Sequence, residues 1–361
     1  MTSAYKYIPA LTGLRAVAAY MVFIHHYIPA YKEELNSVVY GILNEMHVGV
    51  TIFFVLSGFL IANKYLFVSE ANYINYFVKR FARIYPVYIL LTLLTLALKY
   101  GAYTIPNDIL ITNLTLIKGY FKEFKFSGIA QTWSLTVEET FYLLVPFSFV
   151  LIRRNSNYLI LIPAITLAIG VTLVLSIGKL DYHGLFKSFN HLFNYTYFGR
   201  VIEFFTGIGL YYFMNRNRIP SISISYTLLG VGIIILSLAG IYLFKNDNVN
   251  YGIHTIGGML INNIILPIFG ISVLFIGLIR ESTFLSKILA TKTFEILGKA
   301  SYIFYLIHMG VLTDVIMNFL NSETTNIALT FFTINVVSIL LYYSIEKPTN
   351  QILLKLMLIK K

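Results

Sequence analysis

GLRAVAAYMVFIHHY, residues 13–27, decides how the chain is read. From Ala16 to Ile24 it carries neither a charge nor a histidine. Extended to roughly 11–30, it provides the ~20 largely apolar residues that a helix needs to cross the hydrocarbon core of a membrane. Ionisable side chains inside such a segment are expensive and mark function. At 100° per residue, the 11 positions from Arg15 to His26 bring both onto one helix face, about 16 Å apart along the axis. His25 points about 80° away on the same count. Arg15 and His26 are therefore read as a pair, against the plainer alternative of a snorkelling anchor and an interfacial histidine.

The rest of the chain agrees with a membrane reading. Its 361 residues are 57% hydrophobic and 12% charged, against about 45–50% and about 25% in soluble domains. Mean hydropathy is +0.74, so the chain cannot cover itself with polar surface. The fold class expected is all-α, a polytopic transmembrane helix bundle. Ten spans are expected, at roughly 11–30, 47–67, 82–98, 132–152, 157–177, 197–214, 222–244, 259–279, 295–319 and 327–345. The net charge of +11 is spread between apolar runs instead of forming one block, which argues against nucleic acid as a partner. With the N-terminus inside, lysine and arginine divide two to one in favour of the cytoplasm, predicting N-in and C-in. Absence of cysteine excludes disulfides, zinc–thiolate sites and a cysteine nucleophile. The first run lacks a small-residue cleavage site and reads as a retained helix, not a signal peptide. No repeat, linker or appended soluble domain is evident, so residues 1–361 are expected to form one integral-membrane domain. The longest extramembrane stretch, 99–131, contains PNDILITNLTLI, apolar enough to lie along the outer interface or dip back in.

Further polar groups fall inside the spans. In FVKRFARIYPVY (77–88), Arg80 and Arg83 sit one turn apart, and guanidinium forks suit phosphate oxygens. A positive-inside signal explains them equally simply. QTWSLTVEETFYLLVP (131–146) places Glu138 and Glu139 in a span with Trp133 and Ser134. Adjacent helical residues diverge by about 100°, so at most one carboxylate is expected to face a given cavity. Such a group pairs with arginine or acts as a base. Arg200 and Glu203 are one turn apart and read as a structural ion pair. Ser301, Tyr305 and His308 form a stripe on one face, suited either to helix–helix hydrogen bonding or to catalysis. Glu346, beside Lys347 and Pro348, reads as structural.

Six stretches in order, GLRAVAAYMVFIHHY, GVTIFFVLSGFLI (49–61), KRFARIYPVY (79–88), WSLTVEETFYLLVP (133–146), GKASYIFYLIH (298–308) and IEKP (345–348), resemble the acyltransferase-3 family of bacterial integral-membrane O-acyltransferases. The family's arginine and histidine eleven residues apart fall on Arg15 and His26, its Arg-x-x-Arg on Arg80 and Arg83. Its WSL-x-VEE stretch falls on Trp133, Ser134, Glu138 and Glu139. Thr51 departs from the pattern, since many relatives carry an acid there. Many relatives also have a hydrolase-like extracytoplasmic domain, so the expectation is a stand-alone membrane form. The resemblance implies a multi-pass protein of the bacterial inner (cytoplasmic) membrane. It also implies acetyl-CoA as a cytoplasmic acyl donor, a hydroxyl of a cell-envelope glycan or glycolipid as acceptor, and no metal. On that reading Arg15, Arg80 and Arg83 bind the donor. His26, Ser134, Glu138 and Glu139 are the catalytic candidates, His26 as general base or transient acyl carrier. A multi-span transporter or flippase for a polar lipid or glycan is the rival.

Overall fold

Each of the ten apolar runs forms helix in the computed structural model, which describes residues 7–68, 72–220, 222–320 and 326–358. In chain order the helices are α1 (Pro9–Tyr27), α2 (Ser37–Asn44), α3 (Gly49–Tyr65), α4 (Tyr73–Tyr100), α5 (Asn107–Leu114) and α6 (Trp133–Arg154). There follow α7 (Tyr158–Leu175), α8 (Phe189–Tyr195), α9 (Tyr197–Asn215), α10 (Tyr226–Leu243), α11 (Ile256–Leu260) and α12 (Ser272–Arg280). The last are α13 (Phe284–Leu289), α14 (Lys292–Ile307), α15 (Val311–Phe319), α16 (Ile327–Leu341) and α17 (Lys347–Met357). π-helical turns at Ile261–Ile271 and Tyr342–Glu346 join α11 to α12 and α16 to α17. Among the described residues β-pairing is limited to one bridge, Phe121 with Leu185, which ties two loops together. The protein is an all-α, multi-pass membrane bundle.

Seven helical segments are long and apolar enough to cross a membrane, or eight if a bent pair is one span. α1 and α9 fall outside that set although each has 19 residues. Both carry internal charges, Arg15 in α1 and the Arg200–Glu203 pair in α9, and both are packed inside the bundle. α3 packs along α9 and α1 along α14. Glycine sets these distances: a Cβ on Gly58 would fall 2.0 Å from the Phe204 carbonyl oxygen, and one on Gly207 2.0 Å from that of Val55. Small residues let helix backbones meet closely where lipid supplies no hydrophobic driving force. Phe204 then stacks between Phe54 and Phe141, with centroids at 4.7 and 4.3 Å. α7, α10 and α16 are apolar all round and least covered, the pattern of lipid-facing helices.

The span expected at 295–319 requires correction. It breaks after Ile307, and α15 leaves α14 at 103°. Gly310, with φ +82°, supplies the backbone geometry of the turn. The four carbonyls stranded at the end of α14 all find side-chain donors. His308 Nδ1 and Gln131 Nε2 donate to the Tyr305 oxygen, both at 2.9 Å. Gln131 Nε2 also reaches Leu306 O (3.0 Å), Thr313 Oγ1 reaches Ile307 O (2.6 Å) and Tyr27 OH reaches His308 O (2.9 Å). Helix ends need such partners when buried.

PNDILITNLTLI forms α5, and Tyr88 OH anchors it to α4 through the Asn113 carbonyl at 2.9 Å. Lys118, just past that stretch, is fully buried and donates to the Ser127 and Ile129 carbonyls at 2.6 Å each. Burial pushes its amine well below the usual lysine range.

Candidate active site

Two cavities meet back to back in the bundle. The first, about 180 Å³, is lined by Arg15 of α1, Ser57 and Lys64 of α3, Arg80 and Arg83 of α4, Ser134, Glu138 and Tyr142 of α6, and Ser301, Tyr302 and Tyr305 of α14. Four cations face it and one carboxylate. Glu138 accepts from Ser57 Oγ (2.5 Å) and from Tyr142 OH in a short contact. The Arg80 guanidinium lies 5.1 Å from the Tyr142 ring and 5.9 Å from that of Tyr76, in cation–π range. Among the described residues, neither Arg15 Nε nor Arg80 Nε has a hydrogen-bond partner although both are buried. Buried N–H groups without an acceptor are costly, and an anion held by both forks would remove that cost.

The two adjacent carboxylates separate as the helical rotation requires. Glu138 lines the basic cavity; Glu139 does not, and its Oε1 is buried without a partner among the described residues. Glu346 lines neither cavity, but it is buried, its Oε2 has no hydrogen-bond partner among the described residues, and it lies within Coulombic range of Arg83 and Arg15.

The second cavity, about 460 Å³, is lined by His25, His26, His47, Phe126, Gln131, Trp133, Asn194, Tyr195, Arg200, Tyr251, His254 and Met309, among others. Five of the chain's seven histidines gather around it. Four line it directly and His308 bonds to His26 from behind. Its aromatic wall is continuous, with Trp133 and Phe126 both edge-on to Tyr195 at 4.9 and 5.6 Å. Lys125 Nζ sits beside that wall, 4.6 Å from the Phe126 ring and 4.9 Å from Tyr195. In the loop before α11, burial first and Lys125 second lower the pKa of His254, keeping it neutral near pH 7. No group of three or more His, Asp or Glu among the described residues is arranged to hold a metal ion.

The hydrogen bonds fix the tautomer of His26. A backbone carbonyl only accepts, so His308 Nδ1, 2.9 Å from Tyr305 O, carries a proton. A neutral His308 then has its lone pair on Nε2. His26 Nδ1, 2.9 Å from that atom, must donate. The free lone pair of His26 is thus on Nε2, in a side chain that lines the second cavity. This is the arrangement of a general base oriented by a neighbour through its other ring nitrogen. His25 is committed elsewhere, its Nδ1 donating to Asn44 O at 2.6 Å.

Arg200 shares this cavity but is neutralised. Its Nε and Nη2 grip Glu203 at 2.8 Å each, Nη2 also donates to Thr51 Oγ1 (2.9 Å) and Nη1 to Asn194 O (3.2 Å). The Thr51 hydroxyl extends this network by donating to Asn262 Oδ1 at 3.0 Å, and Glu203 supplies the charge.

Val50 and Tyr305 line both cavities and form the wall between them. Arg15 and His26 therefore open on opposite sides of that wall while sharing one side of α1. The catalytic candidates are not brought together. His26 lies in the histidine cavity, Ser134 and Glu138 in the basic one, Glu139 in neither. Ser134 Oγ bonds Tyr305 OH at 2.8 Å, so it supports the wall. The donor-binding candidates Arg15, Arg80 and Arg83 do converge.

Comparison with known proteins gives the family. The model described as an acyltransferase domain matches residues 8–344. "Putative O-acetyltransferase SACOL0978" of Staphylococcus aureus (strain COL) is 28% identical over 335 residues, 86% of this chain and 51% of that protein. "O-acetyltransferase OatA" of Staphylococcus aureus (strain NCTC 8325 / PS 47) is 25% identical over 333 residues, with the same coverage. The chain spans about half the length of the curated relatives it matches. No solved structure matches it.

Proposed function

The chain belongs to the acyltransferase-3 family, and from that premise we propose that it transfers an acyl group, acetyl above all, from acyl-CoA in the basic cavity to a hydroxyl of a cell-envelope glycan in the histidine cavity. The observation that carries this reading is the pair of cavities meeting at one thin wall, cations on one side and an oriented neutral histidine on the other. The Lys/Arg partition supports a cytoplasmic side for the basic cavity, where CoA thioesters are made.

On the donor side Arg15, Arg80, Arg83 and Lys64 hold the phosphates by charge-assisted hydrogen bonds, and the two unpartnered Nε atoms fit that use. The pantetheine arm then runs from those phosphates toward the wall and carries the thioester there. Glu138 is spoken for by Ser57 and Tyr142 and positions the wall of this site. On the acceptor side the aromatic faces of Trp133, Tyr195, Phe126 and Tyr251 suit the apolar faces of a sugar.

The chemistry then needs one proton acceptor. His26 Nε2 removes the hydroxyl proton as the oxygen attacks the thioester carbonyl carbon. The tetrahedral intermediate collapses with rupture of the C–S bond, and the CoA thiolate takes the proton back from His26, leaving an ester and a free thiol. His308, holding His26 Nδ1, keeps the ring in the basic tautomer and stabilises the imidazolium that forms. A carrier, the rival reading, would move solute and leave the thioester intact. Membranes bearing the full chain, supplied with radiolabelled acetyl-CoA, should form alkali-labile glycan ester together with stoichiometric free thiol. Labelled glycan absent while thioester persists refutes the enzyme reading.

A further inference from the structure

We propose that Val50 and Tyr305 set the size of the acyl group transferred, an inference that rests on the acyl-transfer reading above. If the thioester enters from the basic side and the hydroxyl waits on the histidine side, the carbonyl carbon must lie at the wall. The acyl chain beyond that carbon then needs room among the wall residues themselves.

That wall is fixed. Tyr305 OH donates to Gln131 O (3.0 Å) and bonds Ser134 Oγ (2.8 Å), and the Tyr305 carbonyl receives Gln131 Nε2 and His308 Nδ1. The Phe53 ring meets its edge at 6.0 Å. Both polar ends of the residue are tied, so the ring cannot swing aside without breaking several hydrogen bonds. Val50 is equally confined. The preceding Gly49 lies so close to α1 that a Cβ there would fall 2.3 Å from the Ala18 oxygen. α3 therefore cannot retreat in that direction, and the Val50 side chain is 6% exposed. Phe53 and Leu135 add apolar lining on the basic side. An acetyl group has no carbon beyond its methyl. Each added methylene competes for the volume held by Val50 or the Tyr305 ring.

A pocket of this kind discriminates by about 10–200-fold per methylene. The test uses membrane vesicles bearing the full chain, with their own envelope glycan as acceptor and acetyl-, butyryl- or hexanoyl-CoA supplied on the basic side. Alkali-released acyl groups are counted by mass spectrometry. Butyryl carries two more methylenes, so wild type should favour acetyl over butyryl by at least about a hundredfold. Val50→Ala should shrink that ratio by about tenfold, and Val50→Ile should enlarge it. Tyr305→Phe, which unties the hydroxyl, should also shrink it. The opposed Val50 variants guard against a folding artefact, because loss of fold changes total ester and not the acyl ratio. A ratio within twofold of wild type in both Val50 variants overturns the proposal while leaving acyl transfer standing. No ester from wild type with any thioester overturns the acyl-transfer reading itself.

Discussion

Replacing His308 isolates the orienting bond from the base it orients. His308→Ala removes the acceptor of the 2.9 Å bond from His26 Nδ1 and leaves the base in place. A buried donor deprived of its partner costs about 1–3 kcal/mol, roughly 5–150-fold in an equilibrium. Without that acceptor the ring is freer to turn or to move its proton to Nε2, and either change removes the lone pair from the reacting hydroxyl. General-base catalysis contributes about 10²–10⁴-fold in total, so the loss from His308→Ala should lie below the full His26 effect, at about 10–100-fold in kcat. The donor KM should be nearly unaffected, since the phosphate contacts lie across the wall. His308→Gln supplies the diagnostic contrast. An amide can donate through its nitrogen to Tyr305 O and accept through its oxygen from His26 Nδ1, reproducing both bonds in the same sense. It should recover at least tenfold over alanine. Thiol release by detergent-purified protein, with envelope glycan added, measures both parameters. Alanine within twofold of wild type, or glutamine no better than alanine in well-folded protein, refutes the tautomer argument.

Other expectations follow from the same geometry. His26→Ala should abolish transfer, whereas His25→Ala should retain much of it, because His25 serves the Asn44 carbonyl; glycan ester in cells separates the two, and an essential His25 with a dispensable His26 reverses the assignment. Arg80→Lys and Arg83→Lys keep the charge but lose the guanidinium fork; the donor KM should rise by one to two factors of ten, given about 1.5–3 kcal/mol per hydrogen bond to a charged group, and normal kinetics would return both residues to an orienting role. Glu203→Gln strands Arg200 without its counter-charge and should destabilise the purified protein by about 3–5 kcal/mol, read as a fall in melting temperature that Arg200→Met in the same chain partly reverses. Reporter fusions after Lys125 and Lys245 should face outside and those after Arg154 and Arg218 inside; a reporter after Arg154 that faces outside inverts the assignment of the two cavities.

The Arg15–His26 relation was legible because it depends only on helical rotation, and α1 is one uninterrupted helix. Five of the six motifs, all but IEKP, supply residues of the basic cavity, whereas most of the histidine cavity's lining lies outside them. What stayed hidden was non-local. The apolar run 295–319 satisfies a span by length, and only Gly310, just past His308, marks the place where α14 ends. Without that break His308 is one more polar residue on a helix stripe, and its bond to His26, 282 residues away, has no signature along the chain. Glu346 was judged by its neighbours Lys347 and Pro348, yet its partners in space are Arg15 and Arg83. Rotation alone could say that Glu138 and Glu139 diverge, not which of them meets the cavity. The ten apolar runs are all helical, but charges in α1 and α9 take both below the hydropathy of a spanning segment, because these helices are lined by protein and face little lipid.

The distribution of charge across the wall has its own logic. A guanidinium in a low-dielectric interior is tolerated when a counter-ion or a ligand completes it. In the histidine cavity Arg200 is completed by Glu203 within its own helix, with Thr51 and Asn194 taking further N–H groups. That cavity is left with neutral rings and a lone pair. In the basic cavity the balance is reversed: Arg15, Lys64, Arg80 and Arg83 outnumber Glu138, whose Oε1 accepts from Ser57 and Tyr142, and Glu346, within Coulombic range of Arg15 and Arg83. An unbalanced cluster of this size is unfavourable in the empty protein and favourable once an anion arrives, so the free energy of neutralising it becomes binding energy for a polyanionic donor. A base placed among those cations would be surrounded by N–H groups without lone pairs, and an anionic donor placed beside Arg200 would find its fork already occupied by Glu203. On the proposed reading, separating the two functions by the thickness of Val50 and Tyr305 lets each side keep the electrostatics its proposed substrate needs, at the price of requiring the thioester to react at the wall.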